Sequence, residues 1–176
     1  MMLIAANLLL FVVTTVQPEL ILSFGLQPAS FPGEPWTLIT SLFIHSGLFH
    51  IIANMLALYF LGGYLSRLIG DKQFLIVYFG GGLLGSLLFV LLGSPLTIAV
   101  GASGAIFALG GVLAMLRPNL RVFIIPIPVP MPLWVAIIGG FLILSLLPFV
   151  AWQAHLGGLV FGLVAGYLFR SRRRFF

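Results

Sequence analysis

Gly101-Ala-Ser-Gly-Ala-Ile-Phe-Ala-Leu-Gly-Gly-Val-Leu-Ala-Met-Leu116 carries one hydroxyl and no charge. A helix built from it is apolar all round, so it belongs in a deep core or in a bilayer. The rest of the chain decides for the bilayer. Of 176 residues, 61% are hydrophobic and 6% are charged, and the mean hydropathy is +1.25. A soluble domain carries about 25% charged residues, so a soluble globule is excluded. A nucleic-acid partner is not expected either, because the eight Lys and Arg are scattered rather than gathered in a stripe. The chain lacks cysteine, which removes disulfides, thiolate metal sites and a cysteine nucleophile. Glu19, Glu34 and Asp71 are the only acidic residues, too few for a carboxylate metal site, and neither metal nor organic cofactor is expected.

Outward from this stretch, five further apolar runs approach the length that spans a hydrocarbon core of about 30 Å. The six fall at about 1–16, 47–68, 73–92, 102–116, 133–149 and 152–169. They predict an all-α membrane protein, a six-helix bundle forming one domain over 1–176. The first run lacks a basic leader and a small-residue cleavage site, so it reads as a span rather than a signal peptide. Charge then orients the bundle. Arg67 and Lys72, Arg117 and Arg121, and Arg170, Arg172, Arg173 and Arg174 all fall on one side of a six-span arrangement, whereas Glu19 and Glu34 fall on the other. The positive-inside rule then puts both termini in the cytoplasm, in a cell membrane. Spans two, four and six consequently begin at the same outer face.

Two connections carry information. Residues 17–46 are rich in Pro and Gly yet too apolar for a solvated linker, so they are expected to lie in the interface as short helices and turns, with Trp36 at headgroup depth. Trp134 and Trp152 read as interfacial anchors. The run Ile125-Pro-Ile-Pro-Val-Pro-Met-Pro132 cannot be a helix interior and is expected to form an extended, partly buried cytoplasmic connection. No internal repeat is visible, which disfavours an inverted-repeat transporter. Gly158, Gly162 and Gly166 recur every four residues, the small-residue face by which membrane helices approach closely.

Polar side chains within spans are costly and demand a partner or a function. His50 and Asn54 sit one helical turn apart at the outer end of span two. Ser103 lies in the first turn of span four, and His155 in the first turn of span six. Each alone has a structural explanation: a serine bonding back to its own helix, a histidine satisfied at an interface, an asparagine joining helices. Their placement at one face allows chemistry. A serine becomes nucleophilic when a base takes its proton, and histidine is the usual base near neutral pH. The Ser103 amide N–H, at a helix N-terminus, can stabilise an oxyanion, with His50 and Asn54 as side-chain donors. Gly101 and Gly104 leave room for substrate backbone. No carboxylate is placed beside His155, which favours a Ser–His dyad over a triad. His45, at the loop boundary, is expected to be structural.

Three strings carry a family resemblance: His45-Ser-Gly-Leu-Phe-His50-Ile-Ile-Ala-Asn54-Met55, Gly101-Ala-Ser-Gly104 and Ala154-His-Leu-Gly-Gly158. In order, spacing and assignment to spans the chain resembles the rhomboid intramembrane serine proteases, from about Asn7 through span six. The resemblance implies a six-helix core with a partly membrane-embedded first loop, a Ser103 nucleophile, a His155 general base and an oxyanion site at His50 and Asn54. Gly101, Gly104, Phe107 and Gly158 support the site. Span five corresponds to the helix flanking substrate entry. The implied substrates are single-span membrane proteins, cut in or near the span from the extracytoplasmic face.

Three positions depart from the family pattern. Thr37 follows Trp36 where Arg is frequent. Phe107 stands where Tyr is common, which keeps the ring and loses the hydroxyl. Ser66 stands where many members have Glu. With no soluble extension at either end, the chain reads as a minimal core form. A non-catalytic rhomboid-like protein that binds membrane clients is the alternative, although such proteins typically lack the serine or the histidine.

Overall fold

The structure, a computed structural model, describes residues 2–124 and 127–172. Arg173, Arg174 and the segment 125–126 of the proline run lie outside the described residues. In chain order the elements are α1 (Met2–Val16), α2 (Leu20–Phe24), α3 (Thr37–Thr40), a 3₁₀ turn (Ser41–Phe43), α4 (Leu48–Ala57), a π-turn (Leu58–Gly62), α5 (Gly63–Ile69), α6 (Asp71–Leu92) and α7 (Ser103–Leu116). There follow β1 (Arg121–Ile124), β2 (Ile127–Pro132), α8 (Leu133–Ser145) and α9 (Trp152–Arg172).

Among the described residues, three helices are long and apolar enough to cross a membrane: Leu48–Ile69, Asp71–Leu92 and Trp152–Ser171. The first contains α4, the π-turn and α5 as one continuous rod. Met2–Val16, Ser103–Leu116 and Leu133–Ser145 are shorter apolar helices. Large side chains such as Leu9, Val12, Phe60, Leu91 and Ile143 remain exposed around the bundle, an outer surface that requires lipid rather than water.

α7 is the centre of the bundle. α7 packs against α6, α8 and α9, and ten of its fourteen residues are buried, from Gly104 to Ala114. The small residues explain the closeness. On α9, Gly158 and Gly162 face the backbone of Gly104 and Ala108 so closely that a methyl group on either would overlap a carbonyl oxygen. Gly157 meets α6, where an added Cβ would lie 2.7 Å from Gly85 Cα. With lipid outside and apolar side chains inside, close van der Waals contact is what joins such helices.

The long first connection is built as expected from short pieces, α2, α3 and the 3₁₀ turn, and it is tied to the 93–102 loop. Leu26 and Ala99 exchange backbone hydrogen bonds of 2.9 and 2.8 Å. The side chain of Gln27 donates to the Leu96 carbonyl at 3.0 Å, and Ser86 on α6 donates to the Leu38 carbonyl at 2.9 Å. Trp36 donates to the Ser23 carbonyl at 3.2 Å. Thr37 is buried and turns its hydroxyl to the Glu34 carbonyl at 2.6 Å, so a small side chain closes the turn at the first departure from the family pattern. Ser66, another departure, hydrogen-bonds Asp71 across the α5–α6 turn.

One expectation needs an addition and another a correction. The fold is mostly helical, as expected, with one addition: β1 and β2 form an antiparallel two-stranded ladder, pairing Arg121 with Pro132, Val122 with Met131 and Ile124 with Ile127. Proline locks φ near −65° and lacks an N–H, so the alternating prolines forbid a helix but permit an edge strand. The fifth apolar run was expected to stay helical to Phe149. The helix stops at Ser145, where the Ser145 hydroxyl turns back to the Phe141 carbonyl at 2.7 Å. Leu146 and Leu147 close tighter turns onto Ile143 and Leu144. Pro148 disfavours helical backbone in the residue before it, and Phe149 takes a left-handed φ of 67°.

Candidate active site

The two reactive side chains come from two helix starts that the small-residue packing brings together. Ser103 opens α7 and His155 lies in the first turn of α9. Ser103 Oγ and His155 Nε2 are 2.7 Å apart, 52 residues apart in sequence. Gly158, one turn along α9 from the histidine, seats against the Gly104 backbone beside the serine, so the same contact that joins the helices sets the Ser–His distance. The His155 ring lies against Phe107, with centroids 4.7 Å apart and planes inclined at 35°, and Phe107 in turn meets Phe141 of α8 edge-on at 6.1 Å. Ring packing on the histidine is therefore present without a tyrosine hydroxyl. His155 is buried, and its Nδ1 has no hydrogen-bond partner among the described residues. The arrangement is a serine–histidine pair in which no described carboxylate reaches the ring.

His50, on α4, approaches the serine from the other side. Its Nδ1 lies 3.2 Å from Ser46 Oγ. Its Nε2 faces Gly101, where an added Cβ would stand 2.7 Å from that nitrogen and 3.8 Å from Ser103 Oγ. Gly101 holds φ at +121°, a conformation that L side chains rarely adopt, and its N–H donates to the Ser41 carbonyl at 2.9 Å. The first loop thus fixes the turn that starts α7. The N–H groups of that first turn have no intrahelical acceptor and sit at the positive end of the helix dipole.

Asn54 lies one turn along α4 from His50. It is buried, and its Nδ2 donates to the His50 carbonyl of its own helix at 2.9 Å, while Oδ1 has no partner among the described residues. Asn54 thus lies beside His50, with only one Nδ2 N–H committed to that carbonyl. Gly104 and Gly158 serve the helix crossing. A small cavity of about 20 Å³ behind the serine is lined by Ser41, Ser86, Gly101, Ser103 and Ala154 among others, enough for about one water molecule.

His45, just outside the helices, is 1% exposed and stacks edge-on with His50 at 4.9 Å. Burial, and secondarily the neighbouring His50, push its imidazole down from 6.5 to about 4. Sequence reasoning did not find the partners that position the site: Ser41, which holds Gly101, and Gly85, which seats α9 at Ala154 with an added Cβ 2.5 Å from that carbonyl oxygen. The glycine spacing was visible, but which helix it would face was not.

An apolar helical bundle with a serine–histidine pair held 2.7 Å apart defines a class, helical membrane proteins that bring such a pair together at two helix starts. Within it the chain belongs to the rhomboid family, whose domain model matches residues 32–172. It is 37% identical over 147 residues to RHOMBOID-like protein 1 of Arabidopsis thaliana, covering 81% of this chain and 36% of that relative. It is 33% identical over 153 residues to the rhomboid protease GluP of Bacillus subtilis, covering 84% and 29% respectively. It is also 32% identical over 128 residues to the inactive RHOMBOID-like protein 8 of Arabidopsis thaliana, covering 72% and 36%. The chain therefore spans about a third of the length of these relatives. The family holds both proteins named as proteases and a member named as inactive.

Proposed function

We propose that this chain is an intramembrane serine endopeptidase that hydrolyses single-span membrane proteins in or near their span. The observation that carries the reading is the 2.7 Å approach of Ser103 Oγ to His155 Nε2. In this reading the serine hydroxyl donates to Nε2, and the histidine carries its other proton on Nδ1. Attack of Oγ on the scissile carbonyl transfers the hydroxyl proton to Nε2. The negative charge on the carbonyl oxygen is met by the Ser103 N–H and by His50 Nε2–H, with the second N–H of Asn54 as a further donor. The tetrahedral adduct collapses as His155 gives its proton to the departing amine, leaving an ester on Ser103. Water, deprotonated by His155, then releases the acid and restores the hydroxyl.

The same reading takes the chain as a single membrane domain. The short helices α1, α7 and α8 cross together with the three long ones, six spans in all. The first loop is partly embedded, both termini are cytoplasmic, and the site opens to the extracytoplasmic face of a cell membrane. The lipid bilayer and the substrate span are the partners; no nucleic acid and no cofactor takes part. The partition of basic residues to one side supports the orientation.

A second reading, a client-binding rhomboid without catalysis, is favoured by the existence of an inactive-named relative. Cleavage of a single-span substrate by purified protein in liposomes separates the two. The expected result is cutting by the parent and none by S103A or H155A. A folded parent that neither cuts several substrates nor reacts with a fluorophosphonate probe would reject the protease reading.

A further inference from the structure

The β1–β2 ladder has no role in the chemistry above, yet its construction is specific. β2 carries proline at 128, 130 and 132, alternate residues that have no backbone N–H. Pro132 has no N–H, so it cannot take the hydrogen-bonded position of an antiparallel pair. The adjacent pair, Val122 with Met131, takes it instead. The neighbouring bond from the Leu133 N–H to the Leu120 carbonyl, 2.7 Å, follows the same parity. The Pro132 nitrogen therefore lies on the outer edge; the register shifts between Val122 and Ile124, where the parity ends, and Pro128 and Pro130 bring no N–H to either edge. An ordinary edge strand presents unpaired N–H groups that are costly in an apolar medium and invite another strand. This strand lacks three of those donors, which lowers both the cost and the invitation.

The side chains agree. Val122 packs on the core, whereas Phe123 and Val129 are 69% and 61% exposed. Trp134, at the start of α8, is 51% exposed. Arg117 and Arg121 are exposed beside them, and no acidic residue follows Asp71 anywhere in the chain.

Helix length adds an independent argument. α7 has 14 residues and α8 has 13, about 21 and 20 Å at 1.5 Å per residue. A hydrocarbon core is about 30 Å thick. Neither helix alone covers that thickness, so part of the span falls to the segments at their ends, the β1–β2 ladder among them.

We infer that the β1–β2 ladder lies in the boundary between hydrocarbon and headgroups. Its donor-poor proline strand and the side chains of Phe123, Val129 and Trp134 face lipid there, and Arg117 and Arg121 engage anionic phospholipid headgroups. The ladder is a lipid-facing extension of α7 and α8 rather than a water-exposed loop or a docking strand for another protein.

The chain contains no cysteine, so F123C and V129C each give one labelling site for an environment-sensitive fluorophore. The labelled protein is reconstituted in vesicles of phosphatidylcholine with phosphatidylglycerol. The expected result is quenching by a nitroxide carried near the headgroup end of the acyl chain and shielding from aqueous iodide, at both positions. Iodide quenching at both would overturn the inference in favour of a solvated loop. Resistance to both quenchers would overturn it in favour of a face covered by protein. Raising the phosphatidylglycerol fraction should deepen nitroxide quenching in the labelled parent and not in R117Q/R121Q. An equal response would refute the headgroup contacts. None of these readouts depends on proteolysis, so failure here and failure of the protease reading are distinguishable.

Discussion

Gly101→Ala tests the turn that joins the candidate base, nucleophile and oxyanion donor. The added Cβ would stand 2.7 Å from His50 Nε2 and 2.8 Å from its Cε1. The imidazole must retreat by roughly 0.7 Å to regain ordinary contact. The Ser103 hydroxyl, 3.8 Å away, is not itself crowded. A φ of +121° on a residue with a side chain adds a backbone cost of about 1–3 kcal/mol. Displacing one oxyanion donor costs about 10²–10³ in kcat. The expected outcome is a fall of that order in kcat on a single-span substrate in liposomes, with a modest drop in melting temperature and little change in KM. Gly47→Ala is the control, since nothing lies within 4 Å of its Cβ position and its φ of 174° is extended; it should behave as the parent. If the effect runs through His50, the loss should largely vanish on a His50→Ala background, because two changes acting through one contact are not additive. Full kcat in Gly101→Ala, or an undiminished loss on the His50→Ala background, would refute the reasoning.

Three further outcomes are expected. Gly158→Ala forces a methyl group onto the Gly104 carbonyl at the α7–α9 crossing. It should cost about 1–3 kcal/mol in thermal stability and most of the activity, read by calorimetry and substrate cleavage; retention of both would show that this crossing does not set the Ser–His distance. Phe107→Ala removes the ring packed on His155, worth about 0.5–1.5 kcal/mol, and should lower kcat/KM several-fold, whereas Phe107→Tyr should match the parent. His45 is held neutral by burial and by His50, with its pKa lowered from 6.5 to about 4. Its contribution to stability is present above pH 6.5 and is lost as pH falls towards 4, by up to about 3 kcal/mol. His45→Phe should flatten thermal stability across that window, and an unchanged acid limb would count against the burial argument.

Much of the molecule was legible without coordinates because the bilayer imposes strict rules. Charge is excluded from spans, so the apolar runs are visible in the sequence alone. Polar residues within them are so few that Ser103, His155, His50 and Asn54 stood out by exception. The alternating prolines forbade a helix between Leu116 and Leu133, although the same residues could not show that the strand would turn and pair. Other features depended on contacts between residues distant in the chain. Glycine spacing marked a close-packing face on α9, but only packing reveals that it seats on Gly104 and so sets Ser103 and His155 2.7 Å apart. The hold of Ser41 on Gly101, the turning of Asn54 onto the His50 carbonyl and the early stop of α8 at Ser145 likewise depend on where neighbours fall. Hydrophobicity and backbone chemistry act residue by residue and can be read along a line. Distances between helix ends arise from how closely whole faces fit, and that fit exists only once the chain is folded.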